Sequence, residues 1–154
     1  MDDWRFGRGL LGPLKPLLGA WVSPPHAEGS PTPACSRALK PFGKGWVELD
    51  ARWEMGPRGV YREIALLGAM GDGVLGFYSF TNDGKRSEGR LADGSDVHPK
   101  AVAFEARMPA GLARMIYWPL ADGVGFNFAV ESRTKSGWNR FLRQEYGLAP
   151  SPDR

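Results

Sequence analysis

Cysteine is almost missing from this chain: Cys35 is the only one in 154 residues. A single thiol cannot form an intramolecular disulfide, and it rules out a cysteine-rich metal site. Histidine is nearly as scarce. His26 and His98 are the only two, and each stands beside a proline in a segment that reads as a loop. A tetrahedral zinc site needs three or four ligands. No His/Cys/Asp/Glu cluster here has that spacing, so neither a metal nor another cofactor is expected. No apolar run approaches the roughly 20 residues of a membrane-spanning helix. The opening Met1-Asp-Asp-Trp-Arg-Phe-Gly7 lacks the basic-then-apolar plan of a secretory leader. A cytoplasmic location and no membrane partner are therefore expected. There is no Gly-x-Ser-x-Gly elbow, no phosphate-binding loop and no Gly-x-Gly-x-x-Gly opening a helix.

Charge of one sign is also in short supply. A net charge of +3 serves solubility rather than a strong field. Arg133, Lys135, Arg140 and Arg143 do cluster with Trp138 and Phe141, a mixture able to hold single-stranded nucleic acid through phosphates and stacking. Glu131 and Glu145 dilute that patch, which argues against a nucleic-acid partner.

What the chain has in plenty is glycine (21), proline (13) and aromatic residues: six Trp, four Tyr and eight Phe. Gly and Pro punctuate short apolar runs, as in many strands joined by tight turns. From Trp46 to Met55, Val47, Leu49, Ala51, Trp53 and Met55 fall on one face. Glu48, Asp50, Arg52 and Glu54 fall on the other. This period of two marks a strand with one wet and one dry face. Val60–Leu67 and Val74–Phe80 continue a meander. Val102, Phe104, Ala106 and Met108 alternate likewise, as do Val124, Phe126, Phe128 and Val130. Further strands are expected near 19–22, 34–42, 86–91, 112–120 and 138–146.

These signals predict an all-β protein, an antiparallel up-and-down β-barrel of about 8–10 strands. Residues 1–9 read as a loosely docked arm, 10–148 as a single barrel domain and 149–154 as a tail. Leu10, Leu11, Leu14, Leu17 and Leu18 predict a short amphipathic helix, limited to a turn or two by Pro13 and Pro16. The Pro-rich stretch 24–33 reads as a mobile loop at a barrel mouth.

The opening Leu17-Leu-Gly-Ala-Trp21, Tyr61-Arg-Glu63, Phe80-Thr-Asn-Asp-Gly84, Gly123-Val-Gly-Phe126 and Ser136-Gly-Trp138 together carry a family likeness. In order and spacing they resemble the calycins, in particular bacterial lipocalin-like proteins that are fatty-acid-binding-like and related to nitrobindin. The resemblance implies a barrel with an internal cavity. It implies that Trp21 packs at the closed end beneath an Arg of the last strand, Arg140 or Arg143, in a structural role. The Arg-x-Tyr pair that holds a carboxylate in fatty-acid-binding proteins is not matched. Arg143 and Tyr146 are three apart and face opposite sides of a strand. No His follows His98, so the haem ligation of the nitrobindin branch is not implied.

The candidate cavity residues are Trp53, Tyr61, Glu63, Tyr78, Arg114, Trp118, Phe126, Phe128, Arg140, Gln144 and Tyr146. Charges on strands with apolar neighbours call for a partner. Glu63 is accordingly expected to converge with Arg114 or Arg140. The expected function is non-enzymatic binding of a small hydrophobic or amphipathic molecule inside the barrel. One alternative is an enzyme using Tyr61, Glu63 and Arg114. Another is a module with a filled barrel that self-associates as a homodimer.

Overall fold

The computed structural model describes residues 4–23, 34–121 and 123–150. The Pro-rich stretch 24–33, with His26, and the end of the tail lie outside the described residues. Ten strands follow one another: β1 (Gly19–Ser23), β2 (Cys35–Phe42), β3 (Trp46–Glu54), β4 (Val60–Ala69), β5 (Leu75–Thr81), β6 (Arg86–Ala92), β7 (Val102–Met108), β8 (Gly111–Pro119), β9 (Phe126–Arg133) and β10 (Trp138–Leu148). Each pairs antiparallel with its neighbours in the chain, and β1 pairs with β10 to close the barrel. The expected all-β up-and-down barrel is the observed fold. The closing seam is short. It aligns only Trp21 with Leu148 and Val22 with Gly147, with one more bond from the Ala149 N–H to the Ala20 carbonyl.

The period-two pattern decides what points inward. On β3, Val47, Leu49 and Ala51 are buried. On the outer face Asp50 accepts a two-pronged hydrogen bond from Arg62 of β4 at 3.1 and 2.9 Å. On β4 the inward set is Tyr61, Glu63, Ala65 and Leu67, continuous with the inward face of β3 through the pairs Trp53–Tyr61 and Ala51–Glu63.

Parity breaks once, in β10. Arg140 pairs with Glu131 and Leu142 with Val130, so Phe141 is an extra residue, a β-bulge. Before the bulge Arg140 faces outward beside Glu131. After it Leu142, Gln144 and Tyr146 face inward while Arg143 faces out.

The segment before β1 plugs one end. It forms a 3-10 turn, Gly12–Leu17, rather than the expected amphipathic helix. Pro13 and Pro16 have no N–H to donate, so an α-helical ladder cannot propagate, and a 3-10 turn needs fewer bonds. Leu14 and Leu17, three apart as that geometry requires, are buried; Leu10 and Leu18 are exposed. Trp4, in the stretch read as a loose arm, is itself buried, and its indole N–H donates to the Lys100 carbonyl at 2.8 Å. Trp21 lies just above, its indole N–H on the Leu17 carbonyl at 2.8 Å and its ring edge-on to Phe126. Gly125 has φ +91°, and a Cβ there would collide with the Tyr146 carbonyl oxygen. Only glycine allows this approach. No described helix is long and apolar enough to cross a membrane.

The plug is integral to the core, so Leu17→Ala should lower unfolding free energy by about 3 kcal/mol. Urea denaturation of the two proteins checks this.

Candidate functional site

Above the plug the lumen divides in two. The lower half is filled. Phe126 stacks on Tyr146 at 5.2 Å and meets Trp21 and Tyr117 edge-on. The upper half is a cavity of about 670 Å³ that reaches the β3–β4, β5–β6 and β7–β8 turns. Its walls are mainly apolar: Leu49, Trp53, Ala65, Leu67, Phe77, Phe104, Met115, Phe128, Val130 and Leu142 among them.

At the inner end of the cavity a polar cluster gathers around one side chain, Arg37 of β2. It is almost fully buried and crosses the lumen, its Nε donating to the Tyr117 hydroxyl of β8 at 2.9 Å. The guanidinium lies 4.1 Å over the Phe128 ring, with Tyr117 and Trp53 at 5.4 and 5.8 Å. Such faces attract a cation electrostatically, more so out of water. Nη2 is 3.8 Å from Glu63 Oε1, and Nη1 is buried without a hydrogen-bond partner among the described residues. Glu63 in turn accepts a hydrogen bond from the Ser79 hydroxyl through Oε2. Burial opposes the charge on Arg37, yet Tyr117, Tyr146 and Glu63 together raise its pKa above the ordinary value. Arg37 is thus a cation held inside the barrel. Burial pushes the Tyr117 phenol up, so it stays neutral.

Arg37 stands at the boundary between the two halves. Below it the Tyr146 hydroxyl donates to Gln144 Oε1 at 2.9 Å, and Gln144 Nε2 donates to Cys35 Sγ at 2.7 Å. Burial raises the Cys35 pKa, which keeps the thiol protonated and unreactive.

The sequence candidates fall into three groups. Trp53, Tyr61, Glu63 and Phe128 line the cavity. Phe126, Gln144 and Tyr146 face inward but belong to the filled half, fully buried. Tyr78, Arg114, Trp118 and Arg140 lie on the outer surface of the barrel. Tyr78 is near Trp46 and half-exposed. Arg114 sits between Ala113 and Met115, which line the cavity, so it points the other way. It binds Asp96 at 2.8 and 3.0 Å and Glu131 at 2.9 Å, and lies 4.4 Å over Trp138. Arg140 donates to Glu131 at 2.9 Å and covers Trp118 at 4.9 Å. Glu63 therefore meets neither Arg114 nor Arg140; its cation is Arg37.

The arginine expected over Trp21 is elsewhere too. Arg143 donates to Asn127 Oδ1 at 2.8 Å and leans toward Trp118. The basic and aromatic residues near the C-terminal strands hold one another. Arg114 and Arg133 lie over Trp138, and Glu131 neutralises Arg114 and Arg140. The 93–101 connection is held on this outer face by Asp96. Val97 and Ala101 pack there on Ala103, Ile116 and Ala129.

Arg37 is the residue that pattern reading passed over. Its signal was present: Arg37 shares parity with Cys35 and Leu39, which are both buried. His98 shapes a turn, its Nδ1 accepting from the Lys100 N–H at 3.0 Å. Among the described residues no group of three His, Cys, Asp or Glu is placed to hold a metal ion.

Tyr117→Phe removes the oxygen that accepts from a buried cation, and should cost about 2 kcal/mol of stability by chemical denaturation. Asp96 offers a pH test. Its hydrogen bonds from Arg114 hold the carboxyl below the usual range, a shift that burial only partly opposes. A depressed folded pKa stabilises at neutral pH, and that stability is lost as pH falls through the unfolded and then the folded value. Asp96 is more than half exposed. Solvent screening therefore limits the cost of Asp96→Asn at neutral pH to less than about 1 kcal/mol. The gap between variant and parent should close as pH drops below about 4, as read by melting curves across pH.

No known protein family matches the sequence, and no curated protein does. The fold stands on geometry: a closed, ten-stranded antiparallel barrel, compatible with the calycin-like plan that its motifs resemble.

Proposed function

We propose that this protein binds a small apolar or amphipathic molecule in the upper half of its barrel, without chemical turnover. The observation that carries the reading is the cavity of about 670 Å³, with mainly apolar walls and a polar cluster at Arg37, Glu63 and Ser79. Small-molecule sites commonly have this size and composition, with a few polar groups fixing orientation. Trp53, Tyr61, Glu63 and Phe128 are the proposed contacts from the sequence candidates, joined by Arg37 and Tyr117. The enzyme alternative has lost its constellation, because Arg114 lies outside the barrel from Tyr61 and Glu63.

A homodimer is the second reading. It draws on the outer face of β4 and β5, where Ile64 pairs with Phe80 and Leu66 with Tyr78. Phe80 and Tyr78 are exposed there.

Titration with the neutral probe N-phenyl-1-naphthylamine tests binding. The expected result is enhanced, saturable fluorescence in the micromolar range. Ala113→Trp, which fills the cavity from β8, should abolish it while keeping the β-sheet circular dichroism. No enhancement with the parent protein would overturn the binding reading. Sedimentation at several concentrations tests the dimer.

A further inference from the structure

The cavity places a cation and an anion side by side with neither fully satisfied. Arg37 and Glu63 sum to zero charge, and their nearest atoms, Nη2 and Oε1, are 3.8 Å apart, beyond hydrogen-bond distance. Glu63 spends Oε2 on Ser79, and among the described residues Oε1 has only that distant cation. Arg37 spends Nε on Tyr117, and its Nη2, the nitrogen nearest Glu63, stops short of hydrogen-bond distance. One donor group and one acceptor atom therefore remain adjacent at the polar end of an apolar chamber.

We propose that this end selects an uncharged head group that accepts and donates at neighbouring atoms, such as a primary fatty amide, over a fatty carboxylate. The inference rests on the binding reading above and names the ligand class for the same cavity. An amide oxygen accepts from Arg37 Nη2 while an amide N–H donates to Glu63 Oε1, so the two facing atoms each gain a hydrogen bond. A carboxylate offers only acceptors. It can meet Arg37 but brings a second negative charge against Glu63 where little water screens it. An alkylammonium offers only donors and meets the converse conflict with Arg37. Sites built around paired buried groups reject analogues that leave one unpaired. The other basic residues lining the cavity belong to its open end. Lys85 faces Asp83 at 3.9 Å, Arg133 lies over Trp138 at 5.3 Å, and Arg86 stands beside Lys85 at the start of β6. They act on approach rather than on the seated head group.

The test is displacement of N-phenyl-1-naphthylamine by decanamide, decanoate and decylamine at about pH 8, where the acid is fully ionised. Decanamide should displace the probe from the parent protein at concentrations lower by about tenfold than either charged analogue. Glu63→Gln removes the negative charge and adds a donor. Decanoate affinity should rise by about tenfold in that variant. Equal or better displacement by decanoate from the parent protein would overturn the inference while leaving the binding reading intact. So would a decanoate affinity unchanged in folded Glu63→Gln. If that variant does not fold, the three-ligand comparison on the parent protein decides alone. Failure of the probe to bind at all would remove the binding reading and this inference together.

Discussion

One buried guanidinium governs the interior of this barrel. A charge taken out of water is costly unless its surroundings replace the hydration it loses. Arg37 receives part of that replacement: a phenol oxygen across the lumen, a carboxylate nearby and the face of Phe128. Meeting those needs places Tyr117, Glu63 and Phe128 on three further strands, β8, β4 and β9. A side chain that bridges β2 and β8 also divides the lumen. Below it aromatic rings and the plug pack tightly; above it the walls stand apart. The cavity and the cation are thus one arrangement, because the group that ends the packed core is also the one with hydrogen-bonding capacity to spare.

The outer face repeats this logic with the opposite result. Arg114 and Glu131 are as buried as Arg37, but here the partners are complete: two carboxylates, a second arginine and two indole faces. The network fastens the 93–101 connection onto the sheet. Two clusters of similar composition therefore differ in what they can do. One is saturated by the fold, and the other is left short by it.

Much of the architecture was legible in the alternation of side chains. β3, β7 and β9 and the inward face of β3 follow from period two, and the other strands and their hairpin order from the Gly and Pro turns between apolar runs. The polar cluster of the cavity was half legible. Glu63 reads correctly as a charge needing a partner, but its partner was sought on strands whose parity could not be followed. Arg140 shares parity with Gln144 and Tyr146 in a regular strand, and the bulge at Phe141 cancels that relation. Counting residues cannot reveal a bulge, which depends on how β9 and β10 twist together. Arg37 was readable by the argument applied to Arg114, since both interrupt an apolar face. Which of the two faces the lumen depends on closure, a property of all ten strands at once. The plug was foreseen as a helix because leucine spacing does not distinguish 3.6 residues per turn from three over so short a run.

The seam between β1 and β10 gives the cylinder a direction of weakness. Its ladder is the shortest in the barrel, yet it joins residues well over a hundred positions apart. The entropy of closing the whole chain into a ring falls on those few bonds, whereas each hairpin closes only a short loop. Assembly can thus run along the meander as a curling sheet, with the ring sealed last. In the finished molecule the same line is where breathing requires the fewest broken bonds, so the barrel behaves mechanically as a rolled ribbon with a latch.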